Sequence, residues 1–186
     1  MASLHTFAQT PIQNARAPAE VAQLQDLWRN APCVLFFLRR LGCALCRTYI
    51  AGIEAVRAEY EKTGARLVCL SFESLGEGSD SDRSFEAGGY WKGELYTIPK
   101  PVYNDLFGRK GLTDGFYGLL DMNKEAYAAA KHTPGNLKGD GFQLGGQFVV
   151  AKGGKVVLEH RQKRYGDDAK PALLWATLME APSASE

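Results

Sequence analysis

Cys33-Val34-Leu35-Phe36-Phe37-Leu38 is an unbroken apolar run of strand length that closes on Arg39-Arg40 and the turn pair Leu41-Gly42. A strand solvated on one face would alternate in polarity; a run without alternation predicts a strand covered on both faces. Just beyond it, Tyr49, Ile50, Ile53, Val56 and Tyr60 recur at helical spacing, with Glu54, Arg57, Glu61 and Lys62 opposite. Gly64 stands where a glycine stops such a helix. Arg66 to Phe72 is a second β-rich run. Strand, helix and strand make a parallel βαβ unit with a right-handed crossover, which restricts the chain to the α/β class.

The rest of the chain fills in around that unit. Val21 to Trp28 predicts a short helix, Lys100 to Phe107 and Asn123 to Lys131 two more, the last with Asp121 as its cap candidate. Glu77 to Ser84 and His132 to Gly141 are polar or glycine-rich and read as surface loops, the second as a mobile one. Gln147 to Ala151 and Val156 to Arg161 flank Lys152-Gly153-Gly154-Lys155, the signature of a β-hairpin. Asp167 or Asp168 is expected to cap a final helix with Pro171 in its first turn and Leu174, Trp175 and Leu178 facing inward. The order βαβ, a variable middle, then ββα predicts a thioredoxin-like domain, a central mixed sheet with helices on both faces. At 186 residues the chain suits one domain, 1–186, with 1–20 and 181–186 expected to be poorly ordered.

A net charge of +1 gives no reason to expect nucleic acid or an anionic membrane surface as partner. The apolar stretch from Ala31 to Leu38 falls well short of the ~20 residues of a membrane span. The amino terminus lacks the basic head and apolar stretch of a secretory signal, so a reducing, cytoplasmic setting is expected. Four cysteines are too few for a disulfide scaffold, and a close pair in such a compartment points to catalysis or metal binding.

Cys43-Ala44-Leu45-Cys46 is that pair. It follows the buried strand and opens the first long helix, at the carboxyl end of the sheet where open α/β folds bind ligands. Spacing of three puts both sulfurs on one side of the first turn. Free N–H groups and the positive end of the helix dipole favour thiolate there. Arg47, Arg39 and Arg40 are the neighbouring cations that could lower the thiol pKa further. Structural zinc needs four ligands; no second Cys-x-x-Cys exists and His5, His132 and His160 are scattered, so no metal site is expected. An inert buried pair, or a partner-binding scaffold with vestigial redox activity, are the other readings. Cys33 and Cys69 sit inside apolar runs and read as small hydrophobes.

The stretch Phe36-Phe37-Leu38-Arg39-Arg40-Leu41-Gly42-Cys43-Ala44-Leu45-Cys46-Arg47 closely resembles the active-site segment of the peroxiredoxin-like 2 family. Gly88-Gly89-Tyr90-Trp91-Lys92-Gly93-Glu94-Leu95-Tyr96 agrees as well, as do Gly135-Asn136-Leu137-Lys138-Gly139-Asp140 and Gln143-Leu144-Gly145-Gly146. The resemblance covers most of residues 28 to 165. It implies a thioredoxin-like (peroxiredoxin-like) fold, Cys43 and Cys46 as the redox pair, and reduction of a peroxide or of a prostaglandin-type lipid endoperoxide. It also implies a thioredoxin-like reductant, with NADPH acting only through thioredoxin reductase and no cofactor bound to the chain. A general peroxidase for hydrogen or lipid peroxides, or a redox-sensing module without turnover, are the alternatives. Two departures stand out. Peroxiredoxins proper have Thr where this chain has Cys43 and their attacking cysteine where it has Cys46, which leaves open which sulfur attacks first, and thioredoxins have a cis-proline where it has Gly145-Gly146. That glycine pair is expected beside the sulfurs, where a bare backbone could approach a ligand. Tyr90, Trp91, Tyr96, Phe107, Phe116, Tyr117 and Phe142 are candidates to line an apolar groove.

Overall fold

The strand Cys33–Phe37 (β3) lies inside a seven-stranded sheet, and all five of its residues are buried. A computed structural model describes residues 1–75, 80–111 and 123–181, omitting the side chains of 80–83. The other strands are β1 (Pro11–Asn14), β2 (Val21–Gln23), β4 (Arg66–Ser71), β5 (Glu94–Thr97), β6 (Gly146–Val150) and β7 (Val156–Arg161). They run in the order β2-β1-β5-β4-β3-β6-β7. β3, β4 and β5 are parallel neighbours, and β6 lies antiparallel on the other side of β3. The described helices are α1 (Ala44–Ala55), α2 (Arg57–Glu61), α3 (Asp80–Ala87), α4 (Lys100–Phe107), α5 (Lys124–Ala129) and α6 (Pro171–Glu180).

Alternation along the strands sorts the core into two halves. Val34, Phe36, Leu67, Cys69 and Val149 point to the face covered by Ile50 and Ile53 of α1 and by Leu174 and Leu178 of α6. Leu35, Phe37, Val68, Leu70 and Phe148 point to the face covered by Tyr103, Leu106 and Phe107 of α4. The βαβ unit, the terminal hairpin with Gly153 and Gly154 at positive φ, and the mixed sheet with helices on both faces match the sequence expectation.

Several local expectations are corrected. Val21–Gln23 is a strand and only Leu24–Leu27 turns, as a 3-10 helix, because Val21 is exposed and its segment pairs with β1. Residues 1–20 are built in through Leu4 and Ile12, both buried, and through the pairing of β1 with β5. The helix read as continuous to Tyr60 breaks at Val56, which is exposed; Gly64, at φ +77, follows α2. Residues 80–87 are helical rather than loop, held by buried Phe85, whereas 76–79 are not among the described residues. Asp121 and residues 182–186 also lie outside them, and α5 is capped by Asn123, whose Oδ1 accepts from the Glu125 and Ala126 amides. Neither Asp167 nor Asp168 caps α6; its N-cap is Lys170, without a side-chain bond.

Gly145 and Gly146 are packed by protein. A Cβ at Gly145 would collide with the Phe37 carbonyl, and one at Gly146 with the His160 carbonyl and the Phe107 ring. The pair is where β6 threads between the end of β3 and β7. Gly145→Ala should therefore cost about 1–3 kcal/mol of stability, the usual penalty of overpacking against an unyielding neighbour. Urea unfolding would read it as a lower midpoint at unchanged slope.

Candidate active site

The chain leaves β3 with the Leu38 amide still bonded to the Leu70 carbonyl at 2.9 Å, then turns through Leu41, whose amide donates to Glu73 Oε2 at 2.7 Å. Cys43 is the N-cap of α1. Its sulfur accepts from the Cys46 amide at 3.4 Å, which satisfies one of the free donors at a helix start. Arg39 Nη1 donates to the same sulfur at 3.3 Å. The guanidinium is held in place by the Gln143 carbonyl (Nε, 2.8 Å), the Gly141 carbonyl (Nη2, 2.8 Å) and the face of Tyr165, 4.0 Å from its centroid.

All four cysteines are free thiols in the structure. A hydrogen bond from the Cys46 thiol, the Arg39 charge and the Cys46 amide together outweigh burial and pull the Cys43 thiol down to about 5. The same hydrogen bond and burial push Cys46 well up. The pair is thus a thiolate beside a thiol that donates to it. Burial raises Cys33 and Cys69 in their strands, so neither is a competing thiolate.

Among the neighbouring arginines the structure selects differently from the sequence reading. Arg39 makes the contact. Arg40 donates to the Lys138 carbonyl and lies beside the site without touching a sulfur. Arg47 is fully buried but turns away: it donates to the Leu41 carbonyl at 2.7 Å, the Pro134 carbonyl at 2.8 Å and Ser84 Oγ at 2.6 Å. Its work is to fasten the 132–141 segment to the helix start, helped by the Asn136 amide on the Gly42 carbonyl at 2.9 Å. That segment, read as an exposed mobile loop, is tied down at both ends, since Asp140 pairs with Lys100 at 2.9 Å and Arg109 at 2.8 Å.

Cys43 and Cys46 are equally buried, 5% and 6% exposed. What distinguishes them is access. A cavity of about 310 Å³ opens onto Cys43 and not onto Cys46. Its walls include Leu45 of α1, Tyr127 and Ala130 of and beside α5, Leu137, Phe142 and Tyr165. Of the aromatics expected to line a groove, Phe142 does so. Trp91 packs on Phe36 and Tyr90 on Phe85, Phe107 lies in the α4-side core, and Tyr96 bonds Glu94; Phe116 and Tyr117 are outside the described residues. Tyr127 and Tyr165 had no sequence signal; their roles come from distant segments meeting at α1. Among the described residues no group of three or more His, Cys, Asp or Glu could hold a metal ion, and no helix is long and apolar enough to cross a membrane.

A mixed sheet with a cysteine-capped helix springing from its central strand is the architecture of thioredoxin-like peroxiredoxins. A peroxiredoxin Q of Xanthomonas campestris shares that fold, with a TM-score of 0.59 at 15% identity over 98% of both chains. Residues 53–164 match the AhpC/TSA antioxidant enzyme family, a match that begins past Cys46. Prostamide/prostaglandin F synthase of Sus scrofa is 35% identical over 172 residues, 89% of this chain and 83% of that protein. Peroxiredoxin-like 2A of Xenopus laevis is 28% identical over 169 residues, 90% of this chain and 72% of that protein. The chain belongs to the AhpC/TSA family and, as its sequence resemblance indicated, has its relatives in the peroxiredoxin-like 2 branch.

Thiol labelling follows the thiolate fraction, which grows as pH rises through the thiol pKa. Iodoacetamide labelling of Cys43 should be half-maximal near pH 5, flat above about pH 6.5 and lost below pH 4. Arg39→Met removes the cation and should move that inflection upward by about 1–3 units, read by peptide mass spectrometry.

Proposed function

We propose that this chain is a dithiol peroxide reductase for organic peroxides, with Cys43 as the attacking thiolate and Cys46 as the resolving thiol. The apolar cavity at Cys43 carries this reading. Hydrogen peroxide needs no apolar wall, whereas a pocket at the lower end of the ~300–1,000 Å³ ligand range suits a carbon-bearing substrate. The relatives named as prostamide/prostaglandin F synthases make a lipid endoperoxide the leading candidate.

The Cys43 thiolate attacks one peroxide oxygen, an S–O bond forms, and the O–O bond breaks to release an alkoxide that takes a proton. The Cys46 sulfur then attacks Cys43, forming the disulfide and displacing the second oxygen. The substrate gains two electrons and two protons; the cysteines lose the two electrons. An external dithiol of the thioredoxin type, supplied in turn from NADPH by its reductase, returns the pair to the thiol state in a reducing cytoplasm. The dithiol supplies the electrons directly, so the proposed cycle requires no cofactor on the chain.

Steady-state assays with thioredoxin, its reductase and NADPH test this. An endoperoxide or cumene hydroperoxide should exceed hydrogen peroxide in kcat/KM by at least about tenfold, the scale of a small apolar contact. Cys43→Ser should abolish turnover, while Cys46→Ser should complete one round and trap an adduct on Cys43. Preference for hydrogen peroxide, or single turnover surviving only in Cys43→Ser, would refute the assignment.

A further inference from the structure

The cycle just described leaves one ionisable group of the site without a task. Asp168 sits between β7 and α6, half-buried. Its Oδ1 accepts from Gln147 Nε2 and from Gln162 Nε2, both at 2.7 Å. Each glutamine is held the right way round, because Gln147 Oε1 accepts the Ala169 amide and Gln162 Oε1 the Gly145 amide, both at 2.9 Å. Both donors are neutral amides, and no described residue forms an ion pair with Asp168. Two amides converge on one oxygen, which leaves the other, Oδ2, without a hydrogen bond among the described residues and able to carry a proton.

Register places this cradle on the sheet face that carries the cysteines. Gln147 stands opposite Phe36 on β3 and His160 on β7, and opposite residues of an antiparallel pair share a face. Phe36 belongs to the α1-side core together with Cys43 and Cys46, and Ala169 joins that core directly. The charged and titratable groups acting on Asp168 are Cys43 at the cap of α1, Cys46 and Tyr49 of α1 and Arg39 past the end of β3, with the His160–Asp167 pair on the β7 side. Burial raises the Asp168 carboxyl to about 6 against the two amides, and the Cys43 charge adds to the rise.

We propose that Asp168 is the proton reservoir of the cysteine pair, giving a proton to the first oxygen to leave and taking one from Cys46 as its sulfur attacks. This rests on the dithiol cycle above. That cycle begins with a Cys43 thiolate, which has no proton to give, and ends with a Cys46 thiol that must lose one. In the first half-reaction the Cys43 S–O bond forms, the O–O bond breaks, and the neutral Asp168 carboxyl protonates the departing alkoxide. In the second, the Asp168 carboxylate takes the Cys46 proton while the S–S bond forms and the S–O bond breaks. The second alkoxide takes its proton from solvent, and Asp168 ends as it began. A group whose proton affinity lies between those of Cys43 and Cys46 can serve both halves.

The test follows closure of the Cys43–Cys46 disulfide after mixing the reduced full-length chain with cumene hydroperoxide, by acid quench and mass spectrometry between pH 5 and 8. The wild-type closure rate should fall as pH rises, with an inflection near pH 6, because the Asp168 carboxyl must carry its proton when the first oxygen leaves. Asp168→Asn retains an acceptor oxygen for both amides, so it should fold; it should close at least tenfold more slowly and lose the inflection. Asp168→Glu should restore part of both, and His160→Gln should leave the inflection in place. If Asp168→Asn does not fold, the wild-type profile decides, since a flat profile overturns the proposal. Closure of Asp168→Asn at the wild-type rate and profile, or an inflection that disappears with His160→Gln, overturns it while leaving the dithiol cycle standing. A wild type that forms no Cys43–Cys46 disulfide at any pH sinks both.

Discussion

A guanidinium and a thiol it draws toward the thiolate, both almost wholly buried, organise the start of α1. Taking either charge alone out of water is expensive, and removing one partner of such a pair typically costs about 3–5 kcal/mol. Arg39 is therefore fixed by more than the sulfur: two carbonyls from residues 141 and 143 and the Tyr165 ring complete its surroundings. Those carbonyls lie at the end of, and two residues beyond, the 132–141 segment that Arg47 and Asp140 fasten down. The lowered pKa of Cys43 thus depends on residues a hundred positions away, through one planar side chain that touches them all at once.

The parts of this arrangement that are local in sequence could be read from it. The apolar run at Cys33, the helical spacing after Cys46 and the Gly153-Gly154 turn each report a period or a backbone angle, and each was found where expected except that the helix breaks at Val56. The cysteine pair was legible because a helix start is a local feature. Arg39 and Arg47 were harder to tell apart, since both are arginines within a few residues of a cysteine. Only tertiary geometry shows one donating to Cys43 and the other to the Leu41 and Pro134 carbonyls. Asp168 carries the deeper lesson. Beside Pro171 it has the signature of a helix cap, and that role lost to two glutamines that arrive from β6 and from just past β7. Gly145-Gly146 misled similarly: missing side chains suggested room for a ligand, but neighbouring backbone already occupies the space.

The two halves of the core divide the labour. The α4 side is aromatic and closed, with Phe37, Tyr103, Phe107 and Phe148 in mutual ring contact and the Tyr103 hydroxyl bonded to the Leu38 and Leu70 carbonyls. It fixes the end of β3 from below. The α1 side carries the sulfurs, the glutamine cradle and the opening to solvent. A rigid base lies under a partly open upper layer, so the cavity can stay open without loosening the strand beside it.

Position in the sheet also decides where this chain can change length. Side chains alternate along a strand, so one residue added or removed within Cys33–Phe37 would turn part of that run to the wrong face. The turn at Lys152–Lys155 lies at the opposite end of β6 and outside the strands, so a change in its length leaves the faces of β3 unchanged. Insertions and deletions accumulating in descendants of this chain should cluster there, leaving the stretch from β3 to α1 at constant length even where its residues drift.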